Sequence, residues 1–382
     1  MTSSILADFG ADVIHVESPE TGDFLRDLGV SRGAAGSGTR VSRGYDVINR
    51  NKRNITLDMR KPQARDLFHR LVAVSDVVTE NFRPYVMDRW GHDWPTLRAI
   101  NPRLIYCRLS GFGLTGPYRN RRAYGMIGEA FSGWAWLNGY ADNEPLHSSF
   151  SWGDTLDSTW AAASIMMALY WRDAQGGEGQ LIDQGLVEPL FRQLEQQIII
   201  YDQTGVSPHR SGTRHEATPY ADVCETKDGR YFSFSAFTHE AIRNLLLALS
   251  LSEDPRFNSF DACLQHREEF HQTVTSWCRE RTLAEAIETF EKHKAIGAPA
   301  MSSEDLCNDP HIQARDLIVS VDDPEGGVEP ILMHGIVPKL SESPGRMRNA
   351  FEPMGSRNEE VYCGLLGLSK QELQALRESG VI

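Results

Sequence analysis

Between residues 11 and 109 the chain alternates short β-branched runs with amphipathic helical segments, and this alternation restricts the fold more than any other feature. Ala11-Asp12-Val13-Ile14-His15-Val16-Glu17 reads as a strand ended by Ser18-Pro19, and residues 5–10 before it as a helix end closed by glycine. Asn54-Ile55-Thr56-Leu57-Asp58 reads as the next strand, followed by a helix over 63–74 with Leu67, Phe68 and Leu71 on one face. Strands at 76–80 and 104–109, with helical segments at 84–90 and 94–100 between them, complete a βαβαβ order. That order predicts an α/β fold, a doubly wound sheet with helices on both faces. Ligands of such sheets gather beyond the carboxyl ends of the strands, here after Glu17, Asp58, Glu80 and Leu109. The chain opens inside an α/β unit, with a helix and no strand before it.

Further along, the glycine-punctuated stretch 110–153 reads as loops, and a long helix is expected over 155–172, broken by Gly176-Gly177-Glu178-Gly179. A strand and helix then run to about residue 201. The predicted division is a large domain over 1–203, a linker over 204–219 and a small α+β domain over 220–305, with 306–382 returning to the large domain. Within the small domain Asp228-Gly229 joins two hairpin strands, and helices follow at 239–250, 266–279 and 283–292.

With 382 residues the chain is long enough for two or three domains. Its net charge of −13 disfavours nucleic acid and anionic membranes as partners. No apolar run approaches a bilayer span and no secretory signal is visible, so a cytoplasmic location is expected. Six scattered cysteines without metal spacing fit reduced thiols, and neither disulfides nor a metal are expected.

No GxGxxG or GxxxxGK[ST] pattern follows a strand, and Gly111-Phe112-Gly113-Leu114-Thr115-Gly116-Pro117 is more simply a turn than a phosphate cradle. Gly153-Asp154 ahead of the long helix admits two readings. Asp154 caps the helix by accepting a backbone N–H, or those donors hold it ionised as a nucleophile while the glycine leaves room for an acyl group. Local sequence does not separate them. Asn81-Phe82-Arg83-Pro84 offers an amide, an aromatic face and a cation suited to an adenine ring and a phosphate, or else an ordinary Phe anchor beside a solvated arginine. Arg119, Arg121 and Arg122 read first as a solvated charge run, and His147 and His215 as hydrogen-bonding histidines. Trp134, Trp136, Phe150 and Trp152 either line an acyl pocket or belong to the core.

Ordered segments along the chain carry a resemblance. Leu6-Ala7-Asp8-Phe9-Gly10-Ala11-Asp12-Val13-Ile14-His15-Val16-Glu17, Asn51-Lys52-Arg53-Asn54-Ile55-Thr56-Leu57-Asp58, Glu80-Asn81-Phe82-Arg83-Pro84 and Ser110-Gly111-Phe112-Gly113-Leu114-Thr115-Gly116-Pro117-Tyr118 are similar to class III CoA-transferases. So are Gly179-Gln180-Leu181-Ile182-Asp183, Asn308-Asp309-Pro310-His311 and the ending from Leu365 to Arg377. The family includes formyl-CoA and carnitine CoA-transferases and is related to the α-methylacyl-CoA racemases.

The resemblance implies a Rossmann-like large domain, a small domain and an interlocked homodimer threaded through linkers at 204–214 and 324–338. It implies coenzyme A or acyl-CoA and a carboxylic acid as substrates, with Asp154 as covalent nucleophile. CoA contacts are implied at Asn81, Phe82, Arg83 and Arg89, and more loosely at Arg26 and Arg122. Three departures accompany it. The chain begins about twenty residues into the family pattern, past its first strand. Asp157-Ser158 stands where the family commonly has Thr-Gly, and Tyr124 where the racemases carry histidine, which favours transfer over racemisation. The implied function is transfer of CoA through an aspartyl-CoA thioester at Asp154. An acyl-CoA isomerase and a non-catalytic acyl-CoA-binding paralogue are the alternatives.

Overall fold

The alternating pattern becomes two sets of parallel strands in the computed structural model, which describes residues 1–28, 42–215, 217–322, 330–350 and 352–382. β1 (Val13–Glu17) runs parallel to β2 (Lys52–Thr56), Val13 lying opposite Lys52 and Glu17 opposite Thr56. β3 (Val77–Glu80), β4 (Ile105–Ser110) and β5 (Gln180–Gly185) form the second parallel set in that order. Among the described residues β1 and β3 each carry a strand partner on one edge only.

Side chains alternate across the second set as the pleat demands. Val78, Tyr106 and Leu181 join a core with Ile55, Leu57, Leu67, Phe68 and Leu71. Val77, Cys107 and Ile182 instead meet Ala161 and Ile165 of the long helix Trp152–Ala174. Apolar contacts on both faces are what a parallel sheet requires. The mixed α/β expectation with parallel strands therefore holds.

The chain divides into two compact units. The larger contains Met1–Ser132, Ser148–Glu195 and Pro310–Ile382, and the other contains Gly133–His147 and Gln196–Asp309. In the second unit β6 (Ala221–Glu225), β7 (Tyr231–Ser235) and β8 (Gly297–Pro299) are antiparallel, and the hairpin turns at Gly229, whose φ of +71° suits glycine. Its core is aromatic: Phe232, Phe234, Phe257, Phe270 and Phe290 are buried together, with Phe232 edge-on to Phe290 at 4.8 Å. β9 (Ile318–Val321) and β10 (Ile331–His334) pair antiparallel within the larger unit, and residues 324–329 of the expected 324–338 linker lie outside the described residues.

Three expectations shift. The second strand begins at Lys52 rather than Asn54, because the buried Lys52 ammonium donates to Asn49 Oδ1 at 2.7 Å and so tolerates the sheet interior. The stretch 110–153 is not loop throughout, since helices Gly125–Phe131 and Trp134–Leu137 form within it. The long helix starts at Trp152 rather than 155, which moves Asp154 inside its first turn. No helix among the described residues is long and apolar enough to cross a membrane.

Candidate active site

Asp154 is the third residue of the helix Trp152–Ala174, and Ser151 holds the capping position without a side-chain cap bond. The cap reading of Asp154 is thus corrected, because Ser151 holds the capping position and Asp154 stands third within the first turn. Asp154 instead accepts the backbone N–H of Gly125, at the start of the helix Gly125–Phe131. The closing role passes to Glu129 on that second helix: fully buried, it accepts Gly153 N–H through Oε1 at 3.3 Å and Ser148 N–H through Oε2 at 2.8 Å.

Two glycines permit this crossing. A Cβ on Gly153 would stand 2.7 Å from the Gly125 carbonyl oxygen, and one on Gly125 would stand 2.6 Å from Asp154 Oδ2. The space beside Gly153 is therefore filled by Gly125 backbone, not left open for an acyl group as the sequence suggested. Burial raises the Asp154 carboxyl above its ordinary proton affinity, the Gly125 N–H and the α-amino group at Met1 oppose that rise, and the charge of Glu129 adds to it. The outcome is a carboxyl that holds its proton more tightly than a solvated aspartate.

One turn further on, Asp157 is buried and receives two bonds from Gln184 Nε2, at 2.8 Å to its carbonyl and 2.6 Å to its carboxylate. Burial and the neighbouring charges of Asp154 and Glu188 outweigh the Gln184 bond and push its carboxyl up to about 6.

A cationic group lies in the same unit. Glu80, at the carboxyl end of β3, accepts Phe82 N–H at 2.6 Å and Arg108 Nε at 2.8 Å, which fixes the turn through Asn81, Phe82 and Arg83. These three residues are exposed, and Phe82 meets Trp90 edge-on at 5.3 Å. Arg83 donates to Tyr85 Oη at 3.1 Å, and the Arg89 guanidinium sits 4.5 Å from the Tyr85 ring centre. The Arg83 bond and the charges of Arg83, Arg89 and Arg122 draw the Tyr85 phenol below its ordinary range. Arg83, Arg89 and Arg122 are thus brought together around one tyrosine, and Gly125 follows Arg122 by three residues. At about 3.3–3.6 Å per residue, the backbone from Arg122 to Gly125, whose N–H reaches Asp154, spans at most roughly 11 Å.

Arg26 has a different environment. It donates to Glu17 through Nε at 2.8 Å and Nη2 at 2.7 Å, to Tyr45 Oη at 2.7 Å and to the Glu352 carbonyl at 3.2 Å. Burial alone would raise the Glu17 carboxyl, but the Arg26 and Tyr45 bonds together hold it well below the usual range, so the Arg26 charge is already matched. The aromatic residues divide as well: Trp134 and Trp136 belong to the second unit, where Trp136 Nε1 donates to the Pro208 carbonyl at 2.9 Å, while Phe150 and Trp152 belong to the larger one.

Glu129, Gly125 and Tyr85 were missed by sequence reasoning. A glutamate four residues past a glycine in a presumed loop gives no signal of burial, whereas Tyr85, between two candidate arginines, could have been found from spacing. No group of three or more His, Cys, Asp or Glu residues that could hold a metal occurs among the described residues.

Fold and site define an α/β protein whose larger unit carries a carboxyl-centred site. The chain matches the family described as CoA-transferase family III over residues 1–358, and it belongs to that family of enzymes. It is similar to succinyl-CoA–D-citramalate CoA-transferase of Chloroflexus aurantiacus, at 35% identity over 381 residues covering 99% of this chain and 93% of that relative. It is also similar to succinate–glutarate CoA-transferase of Agrobacterium fabrum, at 32% identity over 367 residues covering 94% of this chain and 90% of that relative. A crystal structure of a CaiB/BaiF family protein from Brucella suis superimposes with a TM-score of 0.81 at 29% identity, covering 95% of this chain and 94% of the other.

Proposed function

We propose that this CoA-transferase moves coenzyme A from an acyl-CoA to a carboxylic acid by covalent catalysis at Asp154. The carrying observation is the half-buried Asp154 carboxylate, held by Gly125 N–H at one end of a short segment whose other end joins the Arg83–Arg89–Arg122 group. Asp154 attacks the thioester carbonyl, the C–S bond breaks, and CoA thiolate leaves behind a mixed anhydride. The thiolate then attacks the aspartyl carbonyl, forming an enzyme thioester and releasing the donor acid as its carboxylate. An incoming carboxylate reverses the sequence: it displaces the thiolate to form a second anhydride, and the thiolate takes the new acyl group and frees Asp154. No water enters, so the thioester's activation is retained.

CoA binding is assigned to Asn81, Phe82, Arg83, Arg89 and Arg122, the purine against Phe82 and the phosphates against the arginines. Arg26 contributes by the family resemblance alone, because Glu17 occupies its guanidinium in this conformation. Relatives named for succinyl-CoA and for succinate make succinyl-CoA the first donor to assay.

The proposed assembly is an interlocked homodimer around a Rossmann-like domain, with linkers near 204–214 and 324–338. It is supported by helix Gln197–Thr204, none of whose residues is buried although it carries Ile198, Ile199 and Tyr201. Sedimentation should then find dimer at micromolar protein, and a stable folded monomer would exclude it. A cytoplasmic location is supported by six free cysteines, four of them buried.

The functional reading is tested with Asp154→Asn. The variant keeps size and polarity but removes the nucleophilic oxygen, so exchange from succinyl-CoA should fall by about three orders of magnitude or more. Near wild-type exchange would refute the mechanism.

A further inference from the structure

Phe82 is 45% exposed on a turn outside any helix or strand, and such a side chain does not by itself present one face to a ligand. Among the described residues one ring touches it: Trp90, tilted at 76° with the ring centres 5.3 Å apart. Trp90 is rooted where Phe82 is not. It is half-buried and packs against the core that holds Leu67, Phe68 and Met87. Its backbone is fixed as well. The helix Pro84–Arg89 ends with Trp90 in the capping position, the Gly91 N–H donating to the Asp88 carbonyl at 3.0 Å and the His92 N–H to the Met87 carbonyl at 2.9 Å. This paired closure needs a left-handed residue after the cap, which Gly91 supplies at φ +82°. From the helix Pro62–Ala73, Arg65 Nε donates to the Trp90 carbonyl at 3.1 Å, and the buried His92 ring lies 4.4 Å from the Phe68 ring centre. Tyr106 Oη, from β4, donates to the His92 carbonyl at 3.3 Å.

We infer that Trp90 is a positioning residue for purine recognition, an indole anchored in the core that holds the Phe82 ring at a fixed tilt for the adenine of CoA. The inference rests on the reading of Phe82 as the purine contact. An edge-on pair engages the face of one ring with the edge of the other, so in either orientation Phe82 keeps a face open for stacking. Trp90 also closes the helix that carries Arg89, so the same short element sets both the purine platform and one cation assigned to the phosphates. The expected effect is that of one aromatic pair, confined to the nucleotide half of the substrate and absent from the thioester chemistry.

The test compares full-length Trp90→Leu, Trp90→Phe and Phe82→Ala with succinyl-CoA and with S-succinylpantetheine, which carries the same thioester without the nucleotide. Leucine keeps an apolar contact with the core and removes the ring. The expected result in Trp90→Leu is a rise of about three- to tenfold in KM for succinyl-CoA, with kcat and S-succinylpantetheine exchange unchanged, and recovery to within about twofold of wild type in Trp90→Phe. Added to Phe82→Ala, Trp90→Leu should have no further effect. Equal losses with both substrates would show a structural role alone and overturn the inference, as would an unmoved KM. Should Trp90→Leu not fold, wild type labelled with 5-fluorotryptophan answers the same question: the Trp90 resonance, assigned from Trp90→Phe, should shift when adenosine 3′,5′-bisphosphate binds, and an unmoved resonance overturns the inference. If Phe82→Ala itself leaves the KM for succinyl-CoA unchanged, the purine reading of Phe82 fails and takes the positioning role with it. If Phe82→Ala raises that KM and Trp90→Leu does not, the positioning role alone fails.

Discussion

The two ends of the candidate site are built in opposite ways. At the carboxyl end Asp154, Asp157 and Glu129 are drawn in by packing, and two backbones meet where Gly125 and Gly153 leave no room for a side chain. At the cationic end Arg83, on a turn pinned by Glu80, joins Arg89 and Arg122 as exposed cations whose charges act on Tyr85. The difference assigns chemistry by environment. Burial raises the energy of a charge and suits a reacting group, while exposure keeps arginines available for phosphates that arrive with their own counterions. Substitutions at the first end should therefore disturb rate and fold together, and those at the second should disturb binding alone.

The largest effect that sharpens this contrast is expected from Gly153→Ala. Its new Cβ would press to 2.7 Å from the Gly125 carbonyl oxygen, a contact between two backbones that no rotamer relieves. Such overpacking costs about 1–3 kcal/mol of stability. An accompanying displacement of Asp154 by a fraction of an ångström to 1 Å should lower exchange roughly 100-fold. Thermal unfolding and exchange rates measured on one preparation check both, and a silent alanine would mean that the two helix starts do not touch.

Next is the pH dependence of stability through Asp157. Its folded carboxyl holds a proton to about 6 where the free group would release it near the model-peptide value of 3.8. The native state therefore binds the proton more tightly, and the associated stability is fully present below pH 4 and lost as the pH rises to 6. With about two pH units between folded and unfolded values, the loss approaches 3 kcal/mol. Asp157→Asn should thus match wild type in urea unfolding at pH 4 and exceed it by up to about 3 kcal/mol at pH 7. Equal stability at both values would place Asp157 in contact with water or an unseen cation.

The smallest effect belongs to the exposed end. Arg89→Ala should weaken CoA binding by roughly 10–100-fold in calorimetric titration, the usual loss for one charge-assisted contact, and leave the unfolding midpoint unchanged. Unchanged affinity would remove Arg89 from the CoA site, and a lowered midpoint would break the separation between the two ends.

The same contrast explains what was legible in the sequence. The cationic turn is local: Asn81, Phe82, Arg83 and Arg89 lie within nine residues, so their association needed only the strand ending at Glu80. Parallel strands such as Val77–Glu80 and Ile105–Ser110 were equally readable from their β-branched and apolar residues. The carboxyl end was not. Gly125, Gly128 and Gly133 suggested loop, yet a Cβ on Gly128 would fall 2.0 Å from Leu186 Cδ2, so that glycine serves helix packing rather than a turn. Glu129 was unreadable for a related reason, since an ionisable residue is normally assigned to the surface and its burial here is supported by the Ser148 and Gly153 donors. The strand Gly297–Pro299 carries no β-branched residue and follows from its pairing with Phe232–Phe234.

The central claim is that Asp154 forms a covalent bond with the acyl group and then with CoA. It is tested most directly by incubating wild-type protein with succinyl-CoA and hydroxylamine, digesting it and locating the modified residue by mass spectrometry. A hydroxamate at Asp154, formed only with both reagents present and missing from Asp154→Asn, is the predicted result. Sustained CoA exchange with residue 154 unmodified throughout would contradict it.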